Sequence, residues 1–261
     1  MTLPVKTAIR VALPQVTLCA VSSVNVAATL QALETSLMHI NVAACKFFTD
    51  SLLVPTHPDI TVVPIAPIAS SWAYSDFLLM KMVDHIDTSH CLIVQWDGHV
   101  LDASRWRPEF LDHDYIGASW PQFADCHDVG NGGFSLRSRR LMELCRDPAF
   151  RHHHPEDVAI GRLNRTWLEA RGVCIAPRAL ADLFSAERAG NINETFGYHG
   201  AWHMPRAIGT EDFWRLYRDL DDRSTIRHDL ANIMKQLWAG RGGLMRAFRL
   251  MFDQIVFRGK R

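Results

Sequence analysis

Cys91-Leu92-Ile93-Val94-Gln95-Trp96-Asp97-Gly98 is the stretch on which the fold turns. Residues 91–95 carry no charge, and an acid and a glycine follow close behind. An unbroken apolar run suits a central parallel strand covered on both faces; a half-exposed strand would alternate. Working outward, residues 16–21, 46–50 and 61–65 read as three further strands. Between the first two, Asn25 is placed to cap a helix reaching about His39, with Val26, Leu30, Leu33, Leu37 and Ile40 at helical spacing. Before residue 91, Tyr74, Phe77, Leu78, Lys81, Met82 and His85 share one face of a second helix. This rhythm predicts an α/β fold, a mainly parallel central sheet flanked by helices.

The middle of the chain is less regular. Residues 115–119 and 134–136 read as strands around a polar loop, and a helix is expected from Ser138 to about Arg146. Another begins at Pro155-Glu156-Asp157, with Ile160, Leu163, Trp167 and Ala170 on one face, and residues 173–176 read as a late strand. From about Arg206 the pattern turns helical. Thr210 caps a helix carrying Phe213, Trp214, Tyr217 and Leu220, and Ser224 caps one carrying Ile226, Leu230, Ile233, Met234 and Leu237. Gly240, Gly242 and Gly243 end it. In residues 244–261, Arg246, Arg249, Arg258, Lys260 and Arg261 face only Asp253, while Met245, Phe248, Phe252 and Ile255 recur at helical spacing. The expected organisation is a core of residues 1–205 and a basic helical appendage of residues 206–261.

Composition bounds the function. The chain has 261 residues, and 28 Lys and Arg balance 28 Asp and Glu, which excludes a grossly basic nucleic-acid binder. A 48% hydrophobic and 21% charged composition is that of a globular protein, not a disordered one. The six cysteines show no C-x-x-C spacing, so free thiols in a reducing compartment are expected and a zinc knuckle is not. No charge occurs from residue 11 to 33, behind Lys6 and Arg10, which imitates a leader or a membrane span. Pro14, Gln15, Ser22, Ser23, Asn25 and Gln31 interrupt it, and strand followed by amphipathic helix is the better reading.

Four motifs carry candidate chemistry. Asp97 leaves a buried strand at its C-terminal end, where open α/β sheets place their ligand crevice. A carboxylate there suits a divalent cation bridging the diphosphate of a nucleotide sugar, and Gly98 lets backbone or phosphate approach. An ordinary Asp-Gly turn is the plain alternative. Gly130-Asn131-Gly132-Gly133 offers bare backbone N–H groups and positive φ, but it is neither a phosphate-binding Gly-Lys-Ser/Thr loop nor a dinucleotide fingerprint. Pro155-Glu156-Asp157 is an ordinary helix start whose two acids point differently, so one is expected to serve catalysis and the other structure. Phe196-Gly197-Tyr198-His199-Gly200 places a histidine where it can ligate a metal or touch phosphate. His152-His153-His154 reads as a solvated loop, because three consecutive residues do not converge on one ion.

Taken in order with Asp114-Tyr115-Ile116-Gly117-Ala118-Ser119-Trp120-Pro121, these motifs resemble a family of GT-A-type glycosyltransferases met in bacterial surface-polysaccharide clusters. The resemblance spans roughly residues 16–205. The layout is more distantly similar to the β-1,4-galactosyltransferase type. The resemblance implies a GT-A-like single domain that moves a hexose from a nucleoside-diphosphate sugar, a UDP-sugar foremost, onto a glycan or lipid-linked glycan. It implies Asp97 and His199 as ligands of Mn²⁺ or Mg²⁺, with Gln95 where the family has a first Asp, and Asp157 or Glu156 as the base. Ser22, Gln95, Trp96, Asp97, Gly98, Asn131, Gly132 and Gly133 would hold the donor, and Trp120 and Trp202 the acceptor. Surface-polysaccharide or lipopolysaccharide synthesis would place the protein in the cytoplasm, with residues 244–261 lying on the inner membrane face. The rival readings are a sugar-phosphate nucleotidyltransferase, which would want a basic Gly-rich loop after the first strand, and a carbohydrate-binding module that has lost catalysis.

Overall fold

The computed structural model describes residues 10–238 and 242–256. Among the described residues eight strands form: β1 (Val11–Val21), β2 (Ile40–Thr49), β3 (Ile60–Pro64), β4 (His90–Val94), β5 (Tyr115–Ile116), β6 (Phe134–Ser138), β7 (Ser185–Ala186) and β8 (Gly197–Tyr198). The main sheet runs β3-β2-β1-β4-β6-β5. β3, β2, β1 and β4 are mutually parallel, and β6 is antiparallel to both β4 and β5. The expected α/β class is what the chain adopts.

Every residue of β4 is buried, as its unbroken apolar run requires. Alternation then splits the core. Leu18, Ala20, Leu92 and Val94 face a cluster containing Leu33 and Leu37 of α1 (Val26–Leu37). Cys19, Val21, Cys91 and Ile93 face the opposite cluster, with Phe77, Leu78, Met82 and Ile86. Four cysteines are buried free thiols; Cys126 and Cys174 are exposed. Burial pushes the Cys45 and Cys145 thiols up to about 12, so these thiols stay protonated at neutral pH.

Two expected helices are interrupted. α2 (Ser71–Asp76) opens into a wide turn, Phe77–Lys81, before a tight one, Met82–His85. The phase slips, so Lys81 leaves the apolar face and pairs with Asp76 at 3.7 Å. After α3 (Arg139–Leu144), capped by Ser138, α4 (Glu156–Val158) runs into a second wide turn, Ala159–Leu163. That turn sends Leu163 to the surface ahead of α5 (Arg165–Glu169), and Ala170 is exposed as well. The expected strand at 173–176 reduces to one bridge, Ile175 with Tyr115.

The remaining helices are α6 (Arg178–Phe184), α7 (Met204–Ala207), α8 (Thr210–Arg218), α9 (Leu230–Trp238) and α10 (Gly243–Val256). Gly209, not Thr210, occupies the cap of α8. A tight helical turn, Arg223–Asp229, precedes α9, and Asp222 rather than Ser224 caps it, accepting from the Ser224 amide at 2.8 Å. Gly240, Arg258, Lys260 and Arg261 lie outside the described residues. Phe213, Tyr217, Ile226, Leu237 and Leu250 pack in one cluster with Ala28, Ala186 and Tyr198, so these helices share a core with α1, β7 and β8. No helix among the described residues is long and apolar enough to cross a membrane.

Asn25 does not cap α1 with its side chain. It sits left-handed at φ 57°, and its Oδ1 accepts from the Asp222 amide at 3.0 Å, tying the C-terminal helices to the end of β1. Asn25→Gly removes that bond while relieving the backbone, whereas Asn25→Ala removes it and keeps the left-handed strain. In urea unfolding, Asn25→Ala is expected to lose about 1–3 kcal/mol, and more than Asn25→Gly loses.

Candidate active site

The antiparallel pairing of β6 with β4 builds the site. Phe134 opposes Val94, so the glycine loop entering β6 lies beside the Gln95-Trp96-Asp97 end of β4. β7 and β8 run parallel, and Gly197 bridges Val100. The residues just past both short strands, Glu187 and His199, therefore arrive at the same place. His199 Nε2 lies 3.4 Å from Asp97 Oδ1, and its Nδ1 lies 3.4 Å from Glu187 Oε1. Gln95 Oε1 is 3.1 Å from the same Nε2, while Gln95 Nε2 donates to Tyr74 Oη at 2.7 Å. Burial disfavours the imidazolium, but Asp97 and Glu187 outweigh it and hold His199 well above its usual value. Burial likewise opposes the Glu187 carboxylate, yet His199 keeps it below its ordinary value.

Two glycines make this approach possible. A Cβ on Gly133 would lie 2.1 Å from His199 Nε2, and one on Gly132 would lie 2.0 Å from Glu156 Oε1. Asn131, left-handed at φ 60°, folds the loop by accepting from the Gly133 amide at 2.9 Å.

The adjacent acids divide. Glu156 Oε1 accepts from Arg137 Nη2 at 2.9 Å, and the two side chains are only 6% and 1% exposed. Its Oε2 accepts from Ser75 Oγ at 3.1 Å, and Ser75 Oγ lies 2.9 Å from His154 Nδ1. His154 is thus part of the site wall, not a residue of a solvated loop. Asp157 takes its hydrogen bond outside this network, from the neighbouring Val158 amide to its Oδ1 at 2.8 Å. Burial, with the Glu156 charge behind it, pushes Asp157 up to about 6.

A cavity of about 310 Å³ joins these groups, with Gln95, Asn131, Asp157, Glu187, His199 and the buried Trp120 in its wall. Gly132, Gly133 and Glu156 line it too; Ser22, Trp96, Asp97, Gly98 and Trp202 do not, Asp97 reaching it only through its contact with His199. Ser22 Oγ bonds the Val24 carbonyl at the end of β1. Trp96 and Trp202 pack on the second core, Trp202 stacked on His203 at 3.9 Å. Gly98 lies under the Tyr198 carbonyl. Sequence reasoning missed Glu187, Arg137, Tyr74 and Ser75. It also passed over Trp72, an exposed ring beside His153 and His154 near the rim.

Among the described residues no group of three His, Cys, Asp or Glu side chains is arranged to hold a metal ion by itself. Asp97 Oδ1 is nevertheless buried with His199 Nε2, 3.4 Å away, as its one close partner among the described residues. A buried carboxylate oxygen whose one close partner is an imidazole fits a hard cation that takes its other ligands from phosphate and water.

Fold and site together define an α/β protein with a carboxylate- and histidine-lined cleft at the C-terminal end of its parallel strands. The chain belongs to the family described as Protein of unknown function (DUF5672), whose family model matches residues 58–199. No curated protein matches it. Among solved structures it is similar, at 12% identity and a TM-score of 0.44, to the mannosyltransferase PcManGT from Pyrobaculum calidifontis in complex with GDP-Man and Mn²⁺. That match covers 94% of this chain and 76% of the other. It is also similar to a glycosyltransferase involved in the glycosylation of the major capsid of PBCV-1, at 11% identity and a TM-score of 0.42, covering 78% of this chain and 100% of that one.

Breaking the buried pair strands a charge. Arg137→Met is expected to cost about 3–5 kcal/mol, and adding Glu156→Leu to recover most of that loss, both read from urea midpoints.

Proposed function

We propose that this protein is a GT-A-type glycosyltransferase that moves a hexose from a nucleoside-diphosphate sugar, a UDP-sugar foremost, to a glycan hydroxyl. The observation that carries this reading is the shared cavity. His199 and Asp157 both line it: Asp97, outside that wall, lies 3.4 Å from His199 Nε2, where the two side chains suit a diphosphate-bound cation, and Asp157 carries a carboxyl pushed up to about 6.

Each residue has a part. Asp97 and His199, the latter giving up its Nε2 proton to make room for the ion, would hold Mn²⁺ or Mg²⁺, which when bound neutralises the diphosphate as it leaves. Glu187 orients His199 through Nδ1. Asn131, Gly132 and Gly133 line the floor against which the donor sugar would lie. In an inverting displacement, Asp157 takes the proton of the acceptor hydroxyl as that oxygen attacks the anomeric carbon and the nucleoside diphosphate leaves from the opposite face. A base that is ionised just below neutral pH accepts a proton readily without being held protonated. Glu156, spent on Arg137 and Ser75, keeps the helix start in place. Trp120 in the cavity wall and exposed Trp72 near the rim offer aromatic faces to an acceptor sugar, while Trp202 is turned into the second core. A glycan or lipid-linked glycan of a surface polysaccharide is the acceptor class this reading favours. A module that only binds glycan has no need of a buried carboxyl tuned toward neutrality.

Calorimetric titration with UDP, GDP, CMP and TDP, with Mn²⁺ and then EDTA, is expected to show metal-dependent binding of one nucleotide. Asp97→Ala should abolish that binding in a protein that still melts normally. No nucleotide binding by the folded wild type would defeat the reading.

Asp157→Asn is expected to lower turnover by about 10²–10⁴-fold while nucleotide affinity is kept. In the wild type, kcat/KM should fall as pH drops below about 6, where Asp157 becomes protonated, and level off above it. A rate unchanged between pH 5 and 7, or near-normal turnover by Asp157→Asn, would remove Asp157 from the chemistry.

A further inference from the structure

α10 is amphipathic in the wrong sense for a soluble surface. Its buried side carries Arg246, Asp253 and Gln254 beside Ala247 and Leu250. Its outward side carries Met245, Phe248 and Ile255, exposed at 76%, 64% and 74%, together with Leu244, Met251 and Phe252. Rotation cannot bring this stripe inward, because charged bonds pin the polar side. Arg246 Nη2 donates to both oxygens of Glu211 at 2.7 and 2.6 Å. Asp253 accepts from Tyr217 Oη and from Arg223 Nη1, each at 3.0 Å. A contiguous apolar patch held outward marks an interaction surface.

What covers it follows from charge. Residues 206–261 contain twelve Lys and Arg against seven Asp and Glu, although the whole chain is neutral. Beside the stripe lies a depression of about 660 Å³, lined by Arg218, Arg223, Arg246 and Arg249 with Trp214 and Met245. Buried Arg246 lines it, and its Nη1 has no hydrogen-bond partner among the described residues. A second copy of this chain would bring one basic surface against another, which like-charge repulsion opposes. A face that is apolar along one helix and basic beside it matches a bilayer of anionic lipid, acyl chains against the stripe and headgroup phosphates against the arginines. We propose that α10 lies in the interfacial plane of an anionic phospholipid membrane, and that the Arg246 depression takes a lipid headgroup phosphate.

The test uses the full chain with phosphatidylcholine vesicles, made with and without phosphatidylglycerol, in a sedimentation assay. The wild type is expected to bind the anionic vesicles about tenfold better than the neutral ones or more. Phe248→Asp with Phe252→Asp, both at exposed positions, should lose binding to both while the melt stays that of the wild type. Arg218→Ser should weaken the anionic preference alone. The proposal is overturned by a folded wild type that ignores anionic vesicles, or by a Phe248→Asp/Phe252→Asp protein that binds them as the wild type does. It is also overturned if the wild type is a dimer in sedimentation velocity, binds no vesicles, and becomes monomeric on the double substitution. Nucleotide titration of the double variant should match the wild type, so membrane binding and sugar transfer stand or fall separately.

Discussion

The buried ion pair between Arg137 and Glu156 holds the site's geometry together. Arg137 reaches from β6 with Nε on Ser135 Oγ at 3.1 Å, and its guanidinium lies 5.5 Å from the centre of the Tyr115 ring. Tyr115 Oη in turn donates to the Asn131 carbonyl at 3.1 Å. One charge thus fastens β5, β6, the glycine loop and the start of α4, and through Ser75 it reaches α2. Two isolated charges at this depth would each cost several kcal/mol, so the pair persists only because both partners are fully engaged. Its consequence is a division of labour. With Glu156 committed, the neighbouring carboxylate is held at a helix start facing the cavity, where burial and the like charge of Glu156 outweigh the Val158 amide and Arg137 in setting its proton affinity.

The second constraint is steric. His199 and Glu156 press on the backbone of Gly133 and Gly132, where no side chain would fit. The loop first solves a packing problem: it lets an imidazole and an ion pair meet within a few ångströms of the end of β4. Any ligand-binding surface it offers follows from that close approach. Bare backbone in the wall of a cavity is also what a sugar hydroxyl or phosphate oxygen can approach.

How far the sequence announces this depends on the range of each interaction. β4 is legible because burial on both faces leaves a single pattern, and Asp97 because it follows that pattern directly. His199 and the Glu156–Asp157 pair stand out within motifs. Glu187 does not: it follows a two-residue strand, and nothing around Ala186 or Arg188 marks it. Arg137 falls between the expected strand at 134–136 and the helix from Ser138, and nothing in the sequence marks it until β5 and α4 close over it. The wide turns at 77–81 and 159–163 insert a residue into helices whose apolar spacing is otherwise regular, so periodicity passes over them. Asn25 shows the limit most clearly. Its residue type and place suit a helix cap, but its partner, the Asp222 amide, lies 197 residues away.

That distant bond bears on what the C-terminal helices are. Composition changes near Arg206, yet Ala186 and Tyr198, the residues directly before Glu187 and His199, are buried in the cluster that Phe213, Tyr217 and Leu237 complete. The strands that deliver Glu187 and His199 therefore lean on the helices that follow. α10 closes this cluster through Leu250 and, by way of Asp253, holds Tyr217 and Arg223. Removing residues 244–261 would strip an apolar face from α9 and unpair buried polar groups, disturbing the wall behind His199 along with the surface. The inward side of α10 thus belongs to the fold and its outward side to something else, and only substitutions confined to the outward side separate the two.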